Sequence, residues 1–236
     1  MALQSWVKEC SARFRRHLSR GTVFGRFDSS SQSRGCLGPD HAEPHVADRF
    51  SIPADEMKTE MARTVVIGTS CSGKTSFARD LARALGSPHI ELEALHWQPN
   101  WVPRPAEEFS ALTAQAVSQD NWVVDGNYAI VRDLVWSRAT TIIWLNYSFS
   151  TVMWRALART FRRALTGEEL FSGNRESLRM ACFSRDSILC WVITTFHRRR
   201  KDYRRLFDTR TLSQLVYVEF GRPLEAETFL ARLQKK

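Results

Sequence analysis

Eight consecutive residues, Gly68-Thr69-Ser70-Cys71-Ser72-Gly73-Lys74-Thr75, fit the pattern GxxxxGK followed by Ser or Thr, the Walker A pattern. Glycine at both ends lets the backbone turn tightly, so that successive N–H groups face one anion. A helix opening near Lys74 adds the positive end of its dipole. In that setting Lys74 is expected to reach the β- and γ-phosphates of ATP, and the Thr75 hydroxyl to ligate Mg²⁺. The cofactor-binding set is therefore Gly68, Thr69, Ser70, Cys71, Ser72, Gly73, Lys74, Thr75 and Ser76. The pattern alone has chance matches. Its context is what carries weight here, a β-branched run before it and an amphipathic stretch after it. Cys71 lies near several N–H groups and a helix N-terminus, a setting that acidifies a thiol; the alternative is a cysteine filling a variable loop position.

A carboxylate at the end of a neighbouring strand is needed to complete the Mg²⁺ site. Asp125 closes Trp122-Val123-Val124 and is assigned that role, since ligands collect at the carboxyl ends of strands in parallel sheets. The competing reading is a turn residue in Asp125-Gly126-Asn127. Arg155, Arg159, Arg162 and Arg163 recur at i, i+4, i+7 and i+8, so one helix face is basic, with Met153, Leu157, Phe161 and Ala164 expected opposite. Arg155 and Arg159 beside a phosphate loop would stabilise phosphoryl transfer electrostatically. A solvated basic face explains the same spacing. Glu91, Glu93, His96, Trp97 and Trp101 form an acidic and aromatic group where an acceptor would bind. His96 reads as a base or as a packed residue. No second His or Cys stands at ligand spacing from it, which argues against a transition-metal site.

These residues need elements to hold them. Thr64-Val65-Val66-Ile67 reads as a buried parallel strand, Ser76–Leu85 as a helix closed by Gly86, and residues 89–92 as a second strand. Pro99, Pro103 and Pro105 predict a loop before a helix over 107–117. Residues 122–124, 141–145 and 215–218 are the third, fourth and fifth strands. Helical pattern dominates 150–208, and a closing helix spans 223–233. Strands alternating with helices imply right-handed βαβ units and a parallel sheet covered on both faces.

Composition narrows the class. The chain has 236 residues, 43% hydrophobic and 25% charged, which is ordinary globular composition and excludes collagen-like or coiled-coil rods. The longest apolar stretch, Ile188 to Phe196, already contains Thr194 and Thr195 and is far short of the roughly 20 residues of a spanning helix, so no membrane partner is expected. Five cysteines without a CxxC pair suggest neither a disulfide framework nor a zinc cluster, and a reducing cytoplasm fits. The net charge of +9 is concentrated in residues 155–210, which hold fourteen Lys/Arg against six Asp/Glu. That window meets phosphates or is a solvated face. Residues 1–60 lack a sustained period and are expected to be a disordered extension or sequence upstream of a later start. An Arg-rich transit segment is the weaker alternative. The domain is then 61–236, with Met61 just before the first strand. Gly167 and Gly173 flank an arginine-bearing helical lid at about 165–205, whose Arg175 and Arg185 are assigned to substrate.

From Arg63 onward the chain resembles the small P-loop proteins known as adenylate-kinase-related kinases or topology modulation proteins. The likeness runs through Val65–Thr75, Glu91–Trp97, Trp122–Tyr128, Gly173–Ser177 and Ser184–Ile188, over about residues 62–233. It implies an α/β P-loop NTPase fold of three layers, a parallel five-stranded sheet of order 2-3-1-4-5, ATP with Mg²⁺, and a lid. It implies transfer of the ATP γ-phosphate to a small nucleotide or hydroxy metabolite. Asp125 and Arg132 resemble the Asp-Gly-x-x-Arg segment of nucleoside monophosphate kinases, and Arg155 and Arg159 their paired phosphate-clamping arginines. The acceptor side is then Glu93, His96, Trp97, Asn127, Tyr128 and Arg132. Glu93 and Asn146 stand where the family pattern has Asp, and the segment between strands two and three is too short for a full monophosphate-binding domain. The rival classes are a nucleotide-gated nucleic-acid-binding protein using the 155–210 patch, and a bare NTPase. Few aromatic residues interleave with His197–Lys201, which disfavours single-strand binding.

Overall fold

The computed structural model describes residues 54–166, 188–209 and 214–234. Residues 1–53 lie outside it, as do most of the expected lid, including Gly167, Gly173, Arg175 and Arg185, and nearly all of the two family-like segments at 173–177 and 184–188.

In chain order the elements are α1 (Ala54–Glu60), β1 (Arg63–Gly68), α2 (Lys74–Leu85), β2 (His89–Glu91), α3 (Leu92–His96), β3 (Trp97–Gln98), β4 (Val102–Pro103), α4 (Ala106–Ala116), β5 (Trp122–Asp125), α5 (Arg132–Trp136), β6 (Thr141–Leu145), α6 (Phe149–Thr166), α7 (Ile188–Thr209), β7 (Val216–Phe220) and α8 (Pro223–Gln234). Five strands pair in parallel in the order β2-β5-β1-β6-β7. Counted over these five alone, the order reads 2-3-1-4-5, the P-loop arrangement. β3 and β4 form a separate antiparallel pair. They occupy part of the stretch where the prolines predict a plain loop.

The alternation of side chains along β1 builds two cores. Val66 points to one face with Val123, Ile143 and Leu145, where Phe77 and Leu81 of α2 and Phe229 of α8 cover them. Val65 and Ile67 point to the other, with Trp122, Val124, Ile142 and Trp144, under Phe109 of α4 and Val135 and Trp136 of α5. This is a parallel sheet buried on both faces, so its strands read as continuous apolar runs. α2 ends at Gly86, whose φ of 66° is left-handed and whose N–H caps the helix, as expected.

Two expectations need correction. Ordered structure starts before residue 61: α1 forms, and Met57 and Met61 are buried against the α2/α8 core. The cause is an i, i+4 pair of long apolar side chains, too short a pattern to register as a period. The second concerns α6. Its fully buried positions are Val152, Ala156 and Thr160, whereas Phe161 is 59% and Trp154 72% exposed. Small residues let the helix lie close, and the arginines flanking them extend inward. Of the apolar residues expected opposite them, Met153 packs against the core and Leu157 is half-buried, while Phe161 faces outward.

α7 contributes Val192 and Phe196 to one core and Tyr203, Leu206 and Phe207 to the other. It therefore passes from one face of the sheet to the other. No helix among the described residues is long and apolar enough to cross a membrane.

Candidate functional site

The loop between β1 and α2 is shaped to receive an anion. Ser72 N–H donates to the Thr69 carbonyl at 3.2 Å. Cys71 and Gly73 take positive φ values of 65° and 88°, which turns successive amides toward one side. α2 has no side-chain cap and no acidic residue in its first turn, so its leading N–H groups are left for a ligand. Glycine is needed at both ends. A Cβ at Gly68 would lie 2.5 Å from Ser72 Oγ and 3.2 Å from the Leu145 carbonyl oxygen. One at Gly73 would lie 2.7 Å from Arg155 Nη1. Ser72 Oγ is buried without a hydrogen-bond partner. A concave cradle with an orphaned hydroxyl fits phosphate oxygens.

Lys74 Nζ stands 3.4 Å from Glu93 Oε1. Burial acts to lower the Lys74 pKa, but the attraction of Glu93, Asp125 and Tyr203 outweighs it against a small opposing push from Arg199. The ammonium is held above its ordinary value. Arg155, reaching from α6, donates from Nη1 to the Ser72 carbonyl at 2.6 Å, and its guanidinium lies 5.1 Å from the Tyr147 ring centre. Arg159 is half-buried with its Nε lacking a hydrogen-bond partner. Both expected arginines thus belong to the inward side of α6.

Asp125 is buried at the carboxyl end of β5, in register with Val66 of β1 and Glu91 of β2. His89 lies between the two acids, Nε2 3.7 Å from Asp125 Oδ1 and Nδ1 3.8 Å from Glu91 Oε1. Burial first, then the Asp125 charge, raises the Glu91 pKa. Thr75, in the first turn of α2, is half-buried beyond the end of β1, and Ser76 is exposed. Among the described residues no group of three or more His, Cys, Asp or Glu side chains is arranged to hold a metal. A hydroxyl in the first turn of α2 and a carboxylate at the end of β5 are donors that suit Mg²⁺, which takes one or two protein ligands and completes its shell with water and phosphate oxygens.

The acceptor-side residues are partly brought together. His96 packs edge-on against Trp97 (4.8 Å between ring centres) and Phe109 (5.0 Å), and lies 4.7 Å from Tyr128. Trp97 meets Trp101 at 5.7 Å. Burial lowers the His96 pKa despite Glu93, and its Nδ1 has no hydrogen-bond partner. Burial, then Glu93, pushes the Tyr128 hydroxyl well up, while a hydrogen bond from Trp97 acts the other way. Asn127 and Arg132 pair with each other, with Arg132 Nε donating to Asn127 Oδ1 at 2.9 Å and its guanidinium over Trp136.

Three features escape the sequence reading. Tyr203 of α7 directs its hydroxyl at the Gly68 carbonyl, 3.5 Å away. Arg199, one turn earlier, is close enough to influence both Lys74 and Tyr128. Their signal was present: Val192, Phe196, Arg199 and Tyr203 recur at i, i+4, i+7 and i+11, so an arginine interrupts an apolar stripe. The third is Glu219 of β7. Asn146 Nδ2 donates to it at 2.6 Å, and Arg204 grips it with two bonds of 2.8 and 2.9 Å. Asn146, expected to cost the site a carboxylate, instead ties β6 to β7 and α7.

The strand order and the loop define an α/β P-loop fold. No protein-family model matches the chain. No curated protein matches it either. Solved structures similar to it include a shikimate kinase from Bacteroides thetaiotaomicron, at 16% identity over 74% of this chain and 97% of that one, with a TM-score of 0.44. A gluconokinase from Sinorhizobium meliloti 1021 is similar at 24% identity over 74% and 94%, with a TM-score of 0.41. A third, described as a putative kinase from Chloroflexus aurantiacus, is similar at 15% identity over 73% and 96%, with a TM-score of 0.41.

Proposed function

We propose that the protein is an ATP- and Mg²⁺-dependent phosphotransferase of the adenylate-kinase-related group, moving the γ-phosphate of ATP to a small molecule. The observation that carries this reading is the 3.4 Å contact between Lys74 and Glu93. It joins the phosphate loop to the acidic and aromatic wall, so donor and acceptor would meet at one point. A bare NTPase has no need of that wall.

The residues take these roles. The backbone from Gly68 to Gly73 holds the β- and γ-phosphates, and Lys74 leaves Glu93 to face them. Thr75 and Asp125 would hold Mg²⁺, and the chemistry the ion would supply there is to offset phosphate charge. Arg155 and Arg159 offset the charge spread over the transferring group. Glu93, His96, Trp97, Asn127, Tyr128 and Arg132 form the acceptor side; Arg175 and Arg185, assigned to substrate from the sequence, lie outside the described residues. Acid and wall lie where solvent must be excluded for transfer to outrun hydrolysis. The reducing cytoplasm is the compartment that suits five cysteines without a CxxC pair. The inward turn of Arg155 and Arg159 counts against α6 as a nucleic-acid surface.

The test is ADP release from Mg·ATP with nucleoside monophosphates and hydroxy metabolites added in turn. Release that depends on an acceptor supports the reading. Release unaffected by every addition supports a bare NTPase, and binding of nucleic acid gated by ATP without transfer supports the other rival.

A further inference from the structure

His89 precedes Glu91 by two positions on β2, so both side chains leave the same face of the strand. Ile90 between them packs into the opposite core. β2 pairs with β5 so that Glu91 stands beside Asp125 and His89 beside Val123. Asp125 is in turn beside Val66, on the face of the sheet that α2 covers. His89, Glu91 and Asp125 therefore lie on the side of α2, the helix whose first turn carries Thr75.

Two carboxylates in register on neighbouring strands start about 4.8 Å apart at the backbone and repel each other. The imidazole lies between them, with Nε2 3.7 Å from Asp125 Oδ1 and Nδ1 3.8 Å from Glu91 Oε1. These are electrostatic contacts, longer than a hydrogen bond, and a small rotation of the ring closes the one to Asp125. The His89 and Asp125 side chains are 14% and 4% exposed, so solvent screens their contact little. His89 is two residues nearer the start of its strand than the pair it joins, and so reaches Asp125 from inside the sheet. Thr75 and the phosphate loop lie past the carboxyl ends. The contact engages Oδ1, and a carboxylate has a second oxygen for the ion's side. Partners behind a ligating group commonly fix its orientation and with it the affinity for the ion.

We propose that His89 is a positioning residue: its imidazole holds the Asp125 carboxylate through Oδ1 in the orientation that suits the Mg²⁺ of Mg·ATP, and keeps Glu91 in place beside it. This rests on the phosphotransferase reading above, in which Thr75 and Asp125 would hold the ion. His89 itself touches neither ion nor nucleotide.

Calorimetry on the full chain, with ATP in EDTA and then with ATP in excess Mg²⁺, gives the gain in affinity that the ion brings. In His89→Leu the affinity for ATP in EDTA should stay within about twofold of the wild type, while the gain from Mg²⁺ falls by about tenfold. His89→Gln, whose amide nitrogen stands as many bonds from the backbone as the imidazole Nε2, should restore the gain to within about twofold. With Asp125→Asn already present, His89→Leu should change the gain by less than about twofold, since its effect runs through that carboxylate. A thermal melt checks folding, and His89→Asn takes the place of His89→Leu, with the same expectations, if the latter does not melt cooperatively. An undiminished gain overturns the proposal. So does a loss that Gln does not restore, a loss that persists in full beside Asp125→Asn, or an equal loss for ATP in EDTA. Wild-type ATP binding that Mg²⁺ does not tighten also overturns it, whereas no ATP binding under either condition overturns the phosphotransferase reading and this proposal with it.

Discussion

Glu93→Gln should separate nucleotide binding from turnover. Glu93 and Lys74 form an ion pair at 3.4 Å, with side-chain exposures of 39% and 14%. Unit charges at that distance attract by about 5 kcal/mol at an effective dielectric of about 20. Glu93 is more than a third exposed, so solvent screens the pair to about 0.5–1 kcal/mol. Lys74 must give up that interaction to face the γ-phosphate. Removing the charge, with shape nearly unchanged, should therefore tighten Mg·ATP binding by about two- to fivefold. The same change removes the carboxylate that joins the acceptor side to the phosphate loop, and turnover should fall by about tenfold or more. Calorimetry with Mg·ATP and acceptor-stimulated ADP release give the two readouts, with a thermal melt to show that the variant is folded. Weaker ATP binding in a folded Glu93→Gln variant, or undiminished turnover, would refute the reasoning.

Other expectations follow from single contacts. Arg155→Ala should lower turnover by about ten- to a thousandfold with a smaller loss of ATP affinity, because the guanidinium would act on the transferring group; a changed salt dependence of nucleic-acid binding with normal turnover would contradict this. Gly73→Ala puts a methyl group 2.7 Å from Arg155 Nη1 and on a left-handed backbone, so both ATP binding and melting temperature should fall. Met57→Ala should cost about 2 kcal/mol, read from urea unfolding, since Met57 is buried on the α2/α8 core; an unchanged midpoint would show that α1 contributes nothing. Alkylation of Cys71 should be slowed by Mg·ATP, followed by mass spectrometry, and modification that ATP does not slow would count against a ligand in the loop.

The readable parts of this protein are those set by local pattern. Val65-Val66-Ile67 followed by the glycine-bounded loop specifies strand, turn and helix within a single stretch, and the remaining βα alternation fixes a parallel sheet. Lys74, Asp125 and Arg155 follow from that frame, because strand ends and the first turn of α2 must lie at one edge. Long-range placement was harder to read. His89 meets Asp125 only because β2 pairs with β5, a register that spacing does not reveal. Arg199 and Tyr203 sit in a run that looks like a solvated basic helix until α7 is seen to pass from one core to the other. On α6 the expected apolar face is only partly the buried one: Met153 packs against the core, but Val152, Ala156 and Thr160 are the residues fully buried and Phe161 is exposed. α1 rests on Met57 and Met61, two residues that gain meaning only against α8.

The central claim is that ATP and a second molecule meet at Lys74 and Glu93. The most direct measurement incubates the full chain with ATP labelled in its γ-phosphate and a pool of nucleoside monophosphates and hydroxy metabolites, then separates the labelled species. The account expects label in a phosphorylated organic product, formed by the wild type and lost with Lys74→Ala. Label recovered solely as inorganic phosphate, or equal product from the wild type and a folded Lys74→Ala variant, would contradict it.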